Sequence, residues 1–285
     1  MASKIRSAAK LVLKVTVSAV ALVFVFRNID TKQLGNLVAS VDPGWLAVAW
    51  ITYNASKILS AERLTRYFHA NHISINKKEN LILYFIGMFY NLFLPGGIGG
   101  DAYKVWVLNR ESRASGISAV QAVIYDRLSG MVLLGILGCL FSWLAFPHFP
   151  YRMVFIVGAV LALPLFFIVN RILASQFVPG FITTSILSAG VQGFQVICAY
   201  ALLIGLGIDQ AEVAYVAVFL LSSVVAVLPI SIGGIGIREL VFITAADYAA
   251  ISSDQAVAFS LLFFLVSAIS SVPGGFLANP IRKPD

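Results

Sequence analysis

Apolar runs broken at intervals by proline, glycine and charge set the plan of this chain. About 20 apolar residues in a row cross a bilayer as a helix, and six stretches read as spans: residues 11–26, 45–59, 118–146, 153–169, 182–206 and 256–277. The first follows Lys4, Arg6, Lys10 and Lys14 without a small-x-small cleavage site behind it, so it predicts an uncleaved span. The second opens at Asp42-Pro43-Gly44, a helix-start signal. Residues 62–80, with Arg63, Arg66, Lys77 and Lys78, predict a cytoplasmic loop.

Two further runs are too short to cross. Residues 81–94 halt at Pro95 and residues 213–228 at Pro229; glycines, charge and a second short apolar run follow each halt, at 102–108 and 237–248. Gly96-Gly-Ile-Gly99 and Gly233-Gly-Ile-Gly236 match letter for letter. Breaks of this kind free backbone groups that lipid cannot satisfy, so they are stable only against protein or a wet cavity. Two of them in corresponding positions point to a binding site near the bilayer midplane. The expected fold is therefore all-α: an integral membrane protein with six spanning helices and two re-entrant broken-helix hairpins, at 81–110 and 213–250. Residues 1–285 form one transmembrane domain, with 1–146 as one half and 151–285 as its inverted repeat.

Composition agrees with this plan. Hydrophobic residues make up 59% of the 285, charged residues only 12%, and the mean hydropathy is +0.90. A soluble domain is about 25% charged, so a soluble class is excluded and no length remains for a soluble catalytic domain. The net charge of +7 suits topology and anionic headgroups, not nucleic acid. Of the 20 Lys and Arg, only Arg27, Lys32 and Arg152 fall in proposed outer segments, and Lys57, Arg127 and Arg238 fall inside apolar helices. The rest lie on the inner side, which predicts both termini in the cytoplasm.

The chemistry gathers at the breaks. Glycines let a ligand approach the main chain, and a helix starting after them presents free N–H groups to phosphate or carboxylate. This marks Asn91, Gly96, Gly97, Gly99, Gly100, Asp101 and Lys104 at the first break, and Ser231, Gly233, Gly234, Gly236, Arg238 and Glu239 at the second. Asp126 and Arg127 lie well inside an apolar helix, where a charge costs about 2.5–3.5 kcal/mol on insertion scales. Adjacent helical residues point about 100° apart, so each needs a partner elsewhere: Arg127 with Glu239 or Asp101, and Arg238 with Asp126. These pairs either hold the hairpins statically or grip a lipid phosphate. Lys57 and Glu62 read as interfacial snorkellers. His69 and His72 lack an acidic or thiolate neighbour in sequence, and Cys139 and Cys198 sit in apolar runs. No metal, cofactor or catalytic cluster is expected.

Asn91 to Asp101 with its following basic residue, the Asp126-Arg127 pair, and Ser231-Ile-Gly-Gly-Ile-Gly-Ile-Arg-Glu239 together resemble the lysylphosphatidylglycerol synthase transmembrane-region family. The resemblance implies a flippase-like fold in the cytoplasmic membrane of a bacterium or archaeon. It also implies that Asp101, Arg127, Arg238 and Glu239 matter for lipid handling. No aminoacyl-transferase domain follows the last span here, so synthase activity is not part of the expectation.

The function expected is a lipid transporter or flippase, not an enzyme. It would move a phosphate-bearing lipid headgroup between leaflets through a polar groove between the hairpins. Asp101, Asp126 and Glu239 are the candidates for proton coupling. Membrane lipids are the expected partners, with a second copy of the chain or a lipid-synthesis enzyme as further ones. A membrane-embedded transferase acting on a lipid phosphate and a small-solute or ion transporter are the alternatives.

Overall fold

The computed structural model describes residues 31–93, 98–227 and 236–281. The predicted span 11–26 lies outside the described residues, as do Gly96, Gly97, Ser231, Gly233 and Gly234.

The described chain is helical. A helix not anticipated, α1 (Thr31–Ala39), precedes α2 (Pro43–Ala70). The start of α2 follows from its sequence: Asp42 Oδ1 accepts the N–H groups of Gly44 and Trp45, at 2.7 and 3.2 Å, and Pro43 occupies the first turn. Its end departs from the expectation. No breaker occurs before Asn71, so the helix runs on through Glu62, Arg63 and Arg66, and the predicted loop 62–80 shrinks to residues 71–76. Then follow α3 (Lys77–Phe93), α4 (Gly99–Arg110), α5 (Gly116–Ala145), α6 (Met153–Leu173), α7 (Phe181–Gly205), α8 (Glu212–Val227), α9 (Ile237–Ala249) and α10 (Ser253–Ser271). Short 3₁₀ turns occupy Ser175–Phe177 and Val272–Gly275.

Among the described residues, four helical stretches are long and apolar enough to cross a membrane: Gly116–Ala145, Met153–Leu173, Phe181–Gly205 and Ser253–Gly275. At about 1.5 Å per residue, α2 has the length as well, but it carries Lys57, Glu62, Arg63 and Arg66. The outer surface is apolar. On α6, Val154, Val157, Val160, Leu165, Ile168 and Ile172 are each at least half exposed. The buried interior, in contrast, holds Arg63, Asn80, Lys104, Asp126, Gln192 and Glu239. A water-soluble protein rarely shows so large an apolar face; apolar outside and polar inside is the pattern a lipid solvent selects. The chain is an integral membrane protein.

α3 and α4 form one antiparallel hairpin and α8 and α9 another. In the first, Tyr90 stacks on Tyr103 at 4.5 Å between ring centroids and Glu79 faces Arg113 across the open end. The contact is close because Gly87 meets Gly100: a Cβ on Gly100 would fall 1.9 Å from the Gly87 carbonyl oxygen. Both hairpins lie against α5. Asp101 of α4 pairs with Arg127, while Leu220 of α8 lies against Gly138, nearer the other end of α5. The larger apolar core packs α8, α9 and α10 around Phe219, Phe242, Phe259 and Phe263, and includes Cys198. A smaller one surrounds Phe68, Tyr125 and Phe177.

Candidate functional site

Between the two hairpins, α2, α5, α7 and α10 line a half-open cavity of about 360 Å³. Asn91, Asp101 and Lys104 reach it from the first hairpin, Ser223 and Arg238 from the second, and Asp126 and Arg127 from α5. Six of the sequence-marked site residues thus face one space: Asn91, Asp101, Lys104, Asp126, Arg127 and Arg238.

Asn91 also has a structural part, and the remaining marked residues in the described chain, Gly99, Gly100, Gly236 and Glu239, do not line the cavity. Asn91 Oδ1 accepts the Gly100 N–H at 2.8 Å, so it closes the start of α4. Gly99 begins that helix, and Gly100 provides the close approach to Gly87. Gly236 has φ of 82°, the left-handed region where a side chain is strained. Glu239 is 2% exposed; one carboxylate oxygen accepts the Gly236 N–H at 2.7 Å and the other the Ser260 hydroxyl at 2.7 Å. It is an N-terminal cap for α9 and a tie to α10, so of the two partners expected for Arg127, Glu239 and Asp101, it is not the one used.

Asp101 does pair with Arg127, and Lys104 Nζ donates to its other oxygen at 3.2 Å. Asp126 does not pair with Arg238. Its partner is Arg63, whose Nε donates to Asp126 Oδ1 at 2.7 Å and whose Nη1 donates to Ser188 Oγ at 2.9 Å. Arg63 thereby ties α2, α5 and α7 together, and Gly130 makes room for it: a Cβ there would lie 3.0 Å from Nη1. Assignment of Arg63 to a cytoplasmic loop failed because the helix continues past Leu59. The signal was present in the spacing: Tyr53, Ser56, Ser60, Arg63 and Tyr67 recur at three and four residues, and all are buried. Lys104, expected on the cytoplasmic flank, is 5% exposed, with Nζ 4.3 Å from the centre of the Tyr84 ring. Lys57 is no snorkeller either; it faces the cavity with Nζ 4.4 Å from the Tyr53 ring centre.

The side chains lining the cavity include five cations, Lys57, Arg63, Lys104, Arg127 and Arg238, but only two carboxylates, Asp101 and Asp126. Tyr53, Ser60, Gln192, Gln195 and Ser267 add neutral polar groups, and Met88, Leu134 and Phe263 supply apolar wall. Buried polar groups are ordinarily satisfied. Here Arg238 Nε, Ser223 Oγ and Gln192 Oε1 are buried without a hydrogen-bond partner among the described residues. The space is amphipathic, with an excess of positive charge in a low-dielectric setting, and suits an anionic group attached to something apolar.

Residues 11–275 match the family described as the lysylphosphatidylglycerol synthase TM region. The chain belongs to that family. The matched residues include both hairpins and every lining residue of the cavity. No curated protein matches it.

Proposed function

We propose that this protein is a lipid transporter that carries a phosphate-bearing headgroup between leaflets through the cavity between its two hairpins. The observation that supports this most directly is the charge imbalance of the lining, five cations to two carboxylates. Such an imbalance inside apolar helices is costly unless an anion shares the space. Four apolar helices and membership of a lipid-related membrane family place the protein where lipids are the available anions. In this reading α3–α4 and α8–α9 are re-entrant hairpins of an inverted repeat, with both termini cytoplasmic. Rocking of one hairpin against the other exposes the headgroup to each leaflet in turn, while the acyl chains stay in lipid. Transport, not catalysis, is the activity.

The test uses purified protein in vesicles with fluorescent anionic phospholipids and a membrane-impermeant quencher. Wild type should move the label between leaflets, whereas Arg127→Ala and Arg238→Ala should lower the rate at least tenfold, each removing a charged hydrogen-bond donor. Both variants should still elute as single species. Wild-type rates in both would dispose of the cationic cavity as the transport site.

A further inference from the structure

The charges of the cavity are not spread evenly. On the side facing α4 and α5, each cation is matched: Arg63 holds Asp126, and Arg127 and Lys104 share Asp101. On the side facing α9 and α10, Lys57 and Arg238 form no ion pair among the described residues. Each lies instead over aromatic faces: Lys57 over Tyr53, and Arg238 over Phe219 and Phe263, at 5.7 and 4.9 Å. The carboxylate next in sequence, Glu239, is occupied by Gly236 and Ser260 and does not reach the cavity.

The two unmatched cations belong to one wall. Tyr53, under Lys57, packs edge-on against Phe263, under Arg238, with ring centroids 5.7 Å apart. The Tyr53 hydroxyl lies 2.7 Å from Ser267 Oγ, which fixes the ring. Ring faces attract cations but leave their N–H groups free to donate. Among the described residues, Arg238 Nε and the Ser223 hydroxyl on the adjoining helix are buried without a hydrogen-bond partner. Both residues line the cavity, so this wall suits a ligand that carries negative charge and several acceptor oxygens.

Resting on the lipid-phosphate reading above, we infer that Lys57 and Arg238, with Ser223, form a subsite for a dianionic phosphomonoester rather than for a phosphodiester. A phosphomonoester carries about −1.5 to −2 at pH 7 and three terminal acceptor oxygens, which two unmatched cations and a hydroxyl neutralise and satisfy. A diester headgroup, with one negative charge, leaves one of the two cations without a counter-charge. An aminoacylated headgroup adds a further positive charge and fits worse. Lys57 is therefore the residue that separates the two classes. Its ring-supported ammonium acts as a point charge, and Arg, which also lies favourably over a ring face, keeps that positive charge where Gln does not.

The experiment compares two labelled lipids of equal chain length, phosphatidic acid and phosphatidylglycerol, in phosphatidylcholine vesicles holding the full-length protein. Wild type should move phosphatidic acid about tenfold faster or more. Lys57→Gln should bring the two rates together, mainly by slowing phosphatidic acid, and Lys57→Arg should keep the preference. Equal rates in wild type, or a preference that survives Lys57→Gln, would overturn the subsite while leaving lipid transport intact. No movement of either lipid, together with no uptake of inorganic phosphate, would overturn both readings. A parallel arm offers radiolabelled inorganic phosphate outside the vesicles. Uptake lost in Lys57→Gln, without lipid movement, would keep the dianion subsite but assign it to free phosphate and refute lipid transport.

Discussion

The two hairpins share a Pro-Gly break but use their charges in opposite ways. In α3–α4 the acidic residue after the glycines, Asp101, faces outward to Arg127 of α5 and to Lys104, so the hairpin is latched to the bundle by ion pairs. In α8–α9 the acidic residue, Glu239, turns back on its own helix start, and the basic one, Arg238, is left over aromatic rings at the cavity wall. The first arrangement holds a position; the second leaves a cation with unmet bonding capacity. The lesson is that a repeated motif does not imply a repeated role. Whether a buried charge is structural or available to a ligand depends on whether a partner stands within reach, and that is set by packing.

Several substitutions can break or sharpen this contrast. The largest effect should come from Asp126→Ala, which strands the Arg63 guanidinium in a site 5% exposed and should destabilise by about 3–5 kcal/mol. Thermal unfolding in detergent reads it directly. Arg238→Ala should leave the melting temperature unchanged or raise it, because no ion pair is lost. Equal destabilisation by the two would erase the distinction between matched and unmatched cations.

Next in size is Gly100→Ala. A Cβ placed 1.9 Å from the Gly87 carbonyl oxygen must push α4 off α3, an overpacking cost of about 1–3 kcal/mol. It should also slow transport by moving Asp101 away from Arg127, whereas Ala at the half-open Gly116 should do neither. Gly236→Ala forces a side chain onto a residue at φ of 82°, about 1–2 kcal/mol; a neutral result there would mean that the start of α9 relaxes freely.

Smallest should be Glu239→Gln, which keeps the shape: its amide oxygen can accept the Gly236 N–H while its NH2 donates to the Ser260 hydroxyl, so charged bonds become neutral ones at about 1 kcal/mol. Transport at close to the wild-type rate is expected, since Glu239 caps a helix and does not face the ligand. A complete loss with an unchanged melting temperature would return Glu239 to the transport machinery.

Much of this was legible in the chain itself. The helices at Gly116–Ala145, Met153–Leu173, Phe181–Gly205, Glu212–Val227 and Ile237–Ala249 lie within a few residues of the apolar runs that predicted them. The Asp42 cap was also readable, and Asp101 was one of the two partners offered for Arg127. What escaped were Arg63 and Lys57, both on α2. A helix interrupted by single charges looks like a loop when judged by hydropathy, although its buried stripe keeps a three-and-four spacing through Tyr67. The partner of Asp126 escaped for the same reason: the residue that holds it had been placed outside the membrane.

The membrane class, the start of α2, the bounds of the long apolar helices and the family membership are properties of the sequence alone, because run length, capping residues and short motifs act locally or are read position by position. The pairing of charges was decided only by the tertiary structure. Arg63 and Asp126 lie on helices far apart in sequence, as do Tyr53 and Phe263, and each meets its partner because α2 packs along α7 and across α5 and α10. Electrostatic matching inside a low-dielectric bundle is a matter of a few ångströms between elements, and no pattern along one chain encodes that distance.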